Sequence, residues 1–362
     1  MSDPTFEIFT ATVPPLVDAM DGLLFLMRHL HPPDASEVFA SLQEPDTPLR
    51  AARPRLDALP DALEGVRSRL TVAADVTLTC YDRFREAAAA GELVPMLRAV
   101  RDVAIAQEAL YPLAGAFPFV STFFLPDALR NDTALMDKVA VRPIPGETGL
   151  FQMGADAARR GGFALYVPEY YTPDRDWPLI VALHGGSGDG RRFLWNWLRD
   201  ARAHGALLVT PTALDKTWAL LGDDGDSPNL ARIVDRIANK WRVDPARLLL
   251  TGLSDGGTFT YVSGLQAESP FTHLAPVAAS FHPLLAQAAD ATRIAGLPVF
   301  LTHGCLDWMF PIELARSARE ALSAAGANVT YRELDDLSHT YPREVNGEIL
   351  AWMDRTAGPR TA

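Results

Sequence analysis

Three residue types that together can cleave an acyl bond occur in this 362-residue chain in the order Ser254, Asp307, His339, each just beyond a short apolar run. The serine lies in "LLLTGLSDGGTF" (Leu248 to Phe259) and fits the pattern G-x-S-x-G. In that pattern the glycines let a strand and a helix approach while the serine side chain stays open at the turn. A hydroxyl is a weak nucleophile at neutral pH and needs a base within hydrogen-bond reach. His339, in "LDDLSHTYP" after the last apolar run, is the candidate base. Asp307 would hold the imidazole in the right tautomer and stabilise its cation. Asp335 and Asp336 are rivals for that role, but Asp307 comes from a separate strand end and can reach the ring from its far side. The plainer reading of the serine motif, a tight turn with Ser254 as a mere cap, gives no role to the other two.

A second glycine-rich stretch, "HGGSGDG" (His184 to Gly190), also follows an apolar run. As a phosphate cradle it lacks the Walker lysine and the Rossmann glycine spacing. As a donor loop it fits well: the amides of Gly186 and Asp255 would face a developing oxyanion, each worth roughly 3 kcal/mol in the transition state. Trp218 and Trp308 are candidates for walls of a substrate pocket, with ordinary packing as the alternative for both. His282 is a candidate for substrate contact, and His303 is expected to brace the Asp307 loop. The acidic run Asp223 to Asp226 lacks the ligand pattern of a calcium loop and reads as a solvated turn. No metal or cofactor is implied, and Cys305 has no basic neighbour to make it a reactive thiol.

Such groups need elements to hold them. From about Gly149 onward, short apolar runs ("FALYVPE", "PLIVALHG", "ALLVTP", "RLLLTG", "APVAASF", "PVFLTHG", "VTYRELD") alternate with segments of helical length, among them Asn229–Trp241 and Pro311–Ala325. That alternation predicts a mostly parallel sheet with helices on both faces. Ligands then sit at the carboxyl ends of the strands, where the groups above fall. Ser227-Pro228 reads as a helix start, with serine as N-cap.

The first part of the chain has a different period. Leu16, Met20, Leu23, Met27 and Leu30 share one helical face, which "HPPD" ends. Leu63, Val66, Leu70, Ala73, Thr77, Cys80 and Phe84 alternate threes and fours up to a stop at Gly91. Leu93, Leu97, Val100, Ala104 and Leu110 repeat the pattern in one further helix. Residues 1–142 are therefore expected to form a helical bundle, serving as a substrate-entrance wall or a homo-oligomerisation unit, and residues 143–362 a catalytic α/β domain.

The net charge of −12 argues against nucleic acid, which needs a basic footprint. Two cysteines imply no disulfide framework. The opening "MSDPTFEIFT" lacks the basic and apolar regions of a secretion signal, and Leu23–Met27 is too short an apolar run for a membrane span. A cytoplasmic location is expected.

The runs "GGFALYVPEYYTPDRDWPLIVALHGGSGDG" and "WRVDPARLLLTGLSDGG" resemble the phospholipase/carboxylesterase branch of the α/β-hydrolases, alongside feruloyl-esterase and polyhydroxyalkanoate-depolymerase relatives. The resemblance runs from about Gly149 to the C-terminus and leaves out the bundle. It implies Ser254 as nucleophile, Asp307 as acid, His339 as base, and Gly186 with Asp255 as oxyanion hole. The expected activity is metal-independent hydrolysis of small-molecule carboxylic esters through an acyl-enzyme. A peptidase or amidase with the same groups, and a non-catalytic binding protein on the same fold, are the alternatives.

Overall fold

A computed structural model describes residues 4–154 and 158–357. The chain forms two compact units, Met1–Val141 and Arg142–Ala362.

The first unit is helical among its described residues. Its two long helices are Pro4–His29 and Glu64–Ala90. Leu16, Met20 and Leu23 of the first are buried, as are Leu70, Ala73, Thr77, Cys80 and Phe84 of the second. The latter set is the seam read from the spacing of threes and fours. Gly91 ends the second helix in the left-handed conformation, at φ 68°. The single helix expected over Leu93 to Leu110 is two, Leu93–Arg101 and Val103–Leu110, which break at Asp102. Both pack on Glu64–Ala90, and the break lets each present its own apolar face. A fully buried carboxylate, Asp46, is neutralised by Arg50 (2.8 Å) and Arg85 (2.5 Å). The apolar run Leu23–Met27 belongs to the 26-residue helix Pro4–His29, which is long and apolar enough, by length and composition alone, to cross a membrane. Half of its most apolar stretch is buried in the protein.

The second unit is built on an eight-stranded sheet. Its strands are β1 Gly149–Met153, β2 Phe163–Val167, β3 Trp177–Leu183, β4 Leu207–Pro211, β5 Val243–Leu253, β6 His273–Val277, β7 Pro298–Gly304 and β8 Asn328–Leu334. Their order is β1-β2-β4-β3-β5-β6-β7-β8. β1 and β2 are antiparallel additions at one edge, and all pairings from β4 to β8 are parallel. The seven apolar runs of the sequence are β2 to β8. β1 was not legible because it pairs with β2 alone and is only partly buried, so it shows no continuous apolar run.

Strands β2 and β4 are buried along their whole length, as expected where both faces of a sheet are covered. Parallel crossovers are right-handed. The chain steps from β3 to β4 in one direction, then returns past β3 to β5 and continues the other way. Helices before and after the reversal therefore cover opposite faces. The reversal leaves a crevice between the carboxyl ends of β3 and β5, the place where such sheets bind ligands. The serine and the glycine-rich loop are the residues that follow those two strands.

The helix expected from Asn229 starts earlier, at Asp226, and its cap is not Ser227. The Asp224 carboxylate accepts the Ser227 N–H at 2.9 Å instead.

Candidate active site

β5 ends at Leu253 and the helix Asp255–Gly264 begins two residues later, so the chain reverses at Ser254 alone. Ser254 pays for this with φ 58° and ψ −118°. A non-glycine residue in that region is strained by about 1–3 kcal/mol and persists only where its surroundings hold it. Here the Ser254 N–H donates to the Val277 carbonyl at the end of β6 (3.0 Å), and its carbonyl accepts the Thr258 N–H (2.8 Å). Gly256 makes the close approach: a Cβ there would lie 2.5 Å from the His184 carbonyl oxygen and 2.6 Å from that of Leu183. The helix start thus rests directly on the end of β3.

His339 stands in the loop after β8. Its Nε2 lies 2.9 Å from Ser254 Oγ, and its Nδ1 lies 2.9 Å and 3.0 Å from the two carboxylate oxygens of Asp307. A carboxylate only accepts, so Nδ1 carries the ring proton and Nε2 is left to accept the serine O–H. Asp307 sits in the turn after β7 with its side chain fully buried. Its Oδ1 also accepts the N–H groups of Met309 (2.9 Å) and Phe310 (2.8 Å). Burial alone would raise this carboxyl; the His339 hydrogen bond and charge, with the two backbone donors, outweigh it and hold the group below the usual carboxylate range. Asp335, one of the two rivals, lies instead beside the Cys305 thiol at 3.6 Å. The imidazole Nδ1 is bonded to both carboxylate oxygens of Asp307.

Two further contacts fix the Asp307 turn. His303 is buried, which lowers its pKa, and its Nε2–H donates to the Phe310 carbonyl at 2.8 Å. Gly304 lets the His339 loop cross over β7: a Cβ there would lie 2.1 Å from the Leu337 carbonyl oxygen. The loop is pinned there by Leu306 N–H to the same carbonyl (3.0 Å) and Cys305 N–H to Leu334 (2.9 Å).

The glycine-rich loop after β3 is held by a residue whose role the sequence did not reveal. The His184 ring is buried, which pushes its pKa down to about 4. Its Nδ1 faces the Gly185 carbonyl at 2.6 Å and its Nε2 accepts the Ala213 N–H at 3.1 Å, so it is the neutral Nδ1–H tautomer. It ties this loop to the segment after β4. That segment also carries Trp218, considered above as a pocket wall. Trp218 is only 2% exposed, stacks on Phe259 (5.5 Å, 17°), and donates its indole N–H to the His184 carbonyl at 2.7 Å. It braces the loop from beneath and offers no open face.

Gly186 and Asp255, the two oxyanion-hole candidates, are in direct contact: a Cβ on Gly186 would meet Asp255 Oδ2 at 2.7 Å. The Thr217 hydroxyl donates to that same oxygen at 2.6 Å. The Asp255 amide opens a helix, where first-turn N–H groups have no intrahelical acceptor. Of the acidic run before Ser227, Asp223 is exposed as expected of a solvated turn, but Asp226 is not. The buried Asp226 carboxylate accepts the N–H groups of Leu214 and Ala219, each at 2.9 Å, and fixes the segment that carries Thr217 and Trp218. Spacing alone could not show this, because the donors are backbone groups 7 and 12 residues away.

Trp308 is 46% exposed, with its ring centroid 6.2 Å from that of His339; the Phe310 ring is 5.3 Å from it and nearly perpendicular. His282 is exposed on the loop after β6, its Nδ1 accepting the Leu284 N–H at 3.2 Å. Among the described residues, no group of three or more His, Cys, Asp or Glu is arranged to hold a metal ion.

Comparison with known proteins gives the following. Residues 225–354 match the phospholipase/carboxylesterase family. Over 148 residues, 40% of this chain, the sequence is 30% identical to a bifunctional acetylxylan esterase/xylanase of Neocallimastix patriciarum. The chain spans 21% of that protein's length. Among solved structures, a thermostable esterase aligns over 59% of this chain and 64% of its own, at 20% identity and a TM-score of 0.47. A ferulic acid esterase aligns over 58% of this chain and 97% of its own, at 16% identity and a TM-score of 0.48. With its parallel sheet reversing at β3 and the serine elbow after β5, the second unit has the α/β-hydrolase fold, and residues 225–354 are similar to the phospholipase/carboxylesterase family.

Proposed function

We propose that the protein hydrolyses carboxylic esters through an acyl-enzyme formed on Ser254. The observation that carries this reading is the hydrogen-bonded chain from Asp307 through His339 to the Ser254 hydroxyl, on a backbone held at positive φ.

The serine oxygen adds to the ester carbonyl carbon as its proton passes to His339 Nε2. The imidazolium so formed is stabilised by the buried Asp307 carboxylate, which is ionised well into the acid range. The carbonyl oxygen becomes an oxyanion facing the Gly186 and Asp255 amides. The bond from carbon to the alkoxy oxygen then breaks, and His339 returns its proton to the departing alkoxide, releasing an alcohol. Water, losing a proton to the same nitrogen, attacks the acyl-serine. The serine–carbon bond breaks, Ser254 is reprotonated, and a carboxylic acid leaves. Strain at Ser254 and the fixed amides are present before substrate arrives, so little reorganisation is needed during the reaction.

Matched substrates test this reading. An aryl acetate and the corresponding acetanilide present the same acyl group to Ser254, but the amine leaves poorly unless protonated. Ester turnover should be high, anilide turnover far lower, and both should vanish in Ser254→Ala. Comparable rates on the anilide would make the protein an amidase, and turnover that survives Ser254→Ala would remove the serine from the mechanism.

A further inference from the structure

We infer that Trp308 and Phe310 form the wall for the alcohol half of the ester, and that the site selects esters of apolar or aromatic alcohols. This rests on the esterase reading above and adds the substrate class to it.

The geometry of proton return sets where the alcohol must lie. His339 Nε2, 2.9 Å from Ser254 Oγ, must also reach the departing alkoxide oxygen. The carbonyl oxygen faces the other way, toward Gly186 and Asp255. The alcohol's first atoms therefore lie beside the imidazole, and anything longer extends over the groups that flank it. Those groups are rings. Phe310 meets the His339 ring edge-on at 5.3 Å and Trp308 at 6.2 Å.

The turn that carries them has an unusual surface. Asp307 is buried, yet its neighbours Leu306, Trp308 and Met309 are 39%, 46% and 45% exposed. Single exposed apolar side chains are ordinary, but three within four residues beside a reactive group mark a binding surface. The turn is also rigid. Asp307 accepts the N–H groups of Met309 and Phe310, and the His303 Nε2–H donates to the Phe310 carbonyl. An apolar group can settle there without first ordering the wall, which lowers the cost of binding. The opposite side of the site differs: Thr217 and the Asp255 carboxylate lie against Gly186. Polarity thus divides the crevice, with the apolar share on the side of His339.

The test uses the full-length protein and two short substrate series. In the alcohol series, ethyl acetate is compared with 3-phenylpropyl acetate, whose alkoxides are similar leaving groups. In the acyl series, ethyl acetate is compared with ethyl 4-phenylbutanoate. Wild type should favour 3-phenylpropyl acetate in kcat/KM. Trp308→Ala should lower that preference by about tenfold, the scale of a lost apolar contact, while the acyl-series preference stays as in wild type. Trp308→Phe should restore much of the alcohol preference. An alcohol preference unmoved by Trp308→Ala overturns the inference. So does an equal loss in the acyl series, and so does a uniform fall in kcat on every ester, which would make Trp308 a brace of His339. Absence of any ester turnover above that of Ser254→Ala is a separate result and strikes the esterase reading itself.

Discussion

Ser254, His339 and Asp307 differ in what their surroundings demand of them. Ser254 is 8% exposed and strained, His339 is bonded on both ring nitrogens, and Asp307 is buried under four hydrogen bonds. Asp307→Asn keeps the shape of the turn, but an amide can donate to Nδ1 and so favours the wrong imidazole tautomer. Steady-state kinetics should show a fall in kcat of about 10⁴, whereas Asp336→Asn should leave kcat near wild type. A second prediction concerns His184, whose pKa is pushed down to about 4 by burial. Unfolding returns it to about 6.5, so between those values the unfolded chain binds a proton that the folded chain refuses. Its contribution to stability is fully present above pH 6.5 and is lost as pH falls toward 4. Denaturant titrations should show stability rising with pH in that window, with a slope about 1.2 kcal/mol per pH unit shallower in His184→Asn at the middle of the window. An unchanged slope would mean that His184 is protonated in the folded protein.

At the scale of elements, the site exists because four strand ends meet at one edge of the sheet. β3 brings Gly186, β5 brings Ser254, β7 brings Asp307 and β8 brings His339. This much was legible, since each residue follows an apolar run and the runs alternate with helices. The braces were not legible. His184, Thr217, Trp218 and Asp226 brace the site through hydrogen-bond partners 7 to 38 positions away, most of them backbone atoms, and no local spacing encodes those pairings. The Asp226 carboxylate looked like solvated charge because its acceptors' partners are main-chain N–H groups, which carry no sequence signature. The break at Asp102 was hidden for a related reason, as one apolar stripe can be continued by two helices. Gly304 offers an element-level test. Gly304→Ala places a methyl where Leu337 oxygen lies 2.1 Å away, so the His339 loop must move off β7. Thermal or denaturant unfolding should show a loss of about 1–3 kcal/mol, and kcat should fall further than KM changes. Wild-type kcat in that variant would show that the loop crossing does not position His339.

For the whole molecule, all groups of the site come from the unit Arg142–Ala362, which has its own buried core around Leu179, Val181, Leu250, Phe259 and Leu301. The helical unit Met1–Val141 has a separate one around Leu16, Met20, Leu23, Leu70 and Phe84. A chain starting at Arg142 should therefore fold and hydrolyse a short aryl acetate. The two sequence expectations for the bundle separate in the same experiment: an entrance wall changes the preference among bulky esters, and an oligomerisation unit changes only the sedimentation behaviour. Loss of all short-ester turnover in a folded truncation would show that the bundle supplies part of the site. Catalysis by the acyl-enzyme route requires a covalent intermediate on Ser254. Mass spectrometry of the full-length chain, acid-quenched within the first turnover of a slowly deacylating aryl ester, should show one added acyl group, carried by the peptide containing Ser254 and absent in Ser254→Ala. Ester turnover with no acylated chain at any quench time, or acylation of a different residue, would contradict the account.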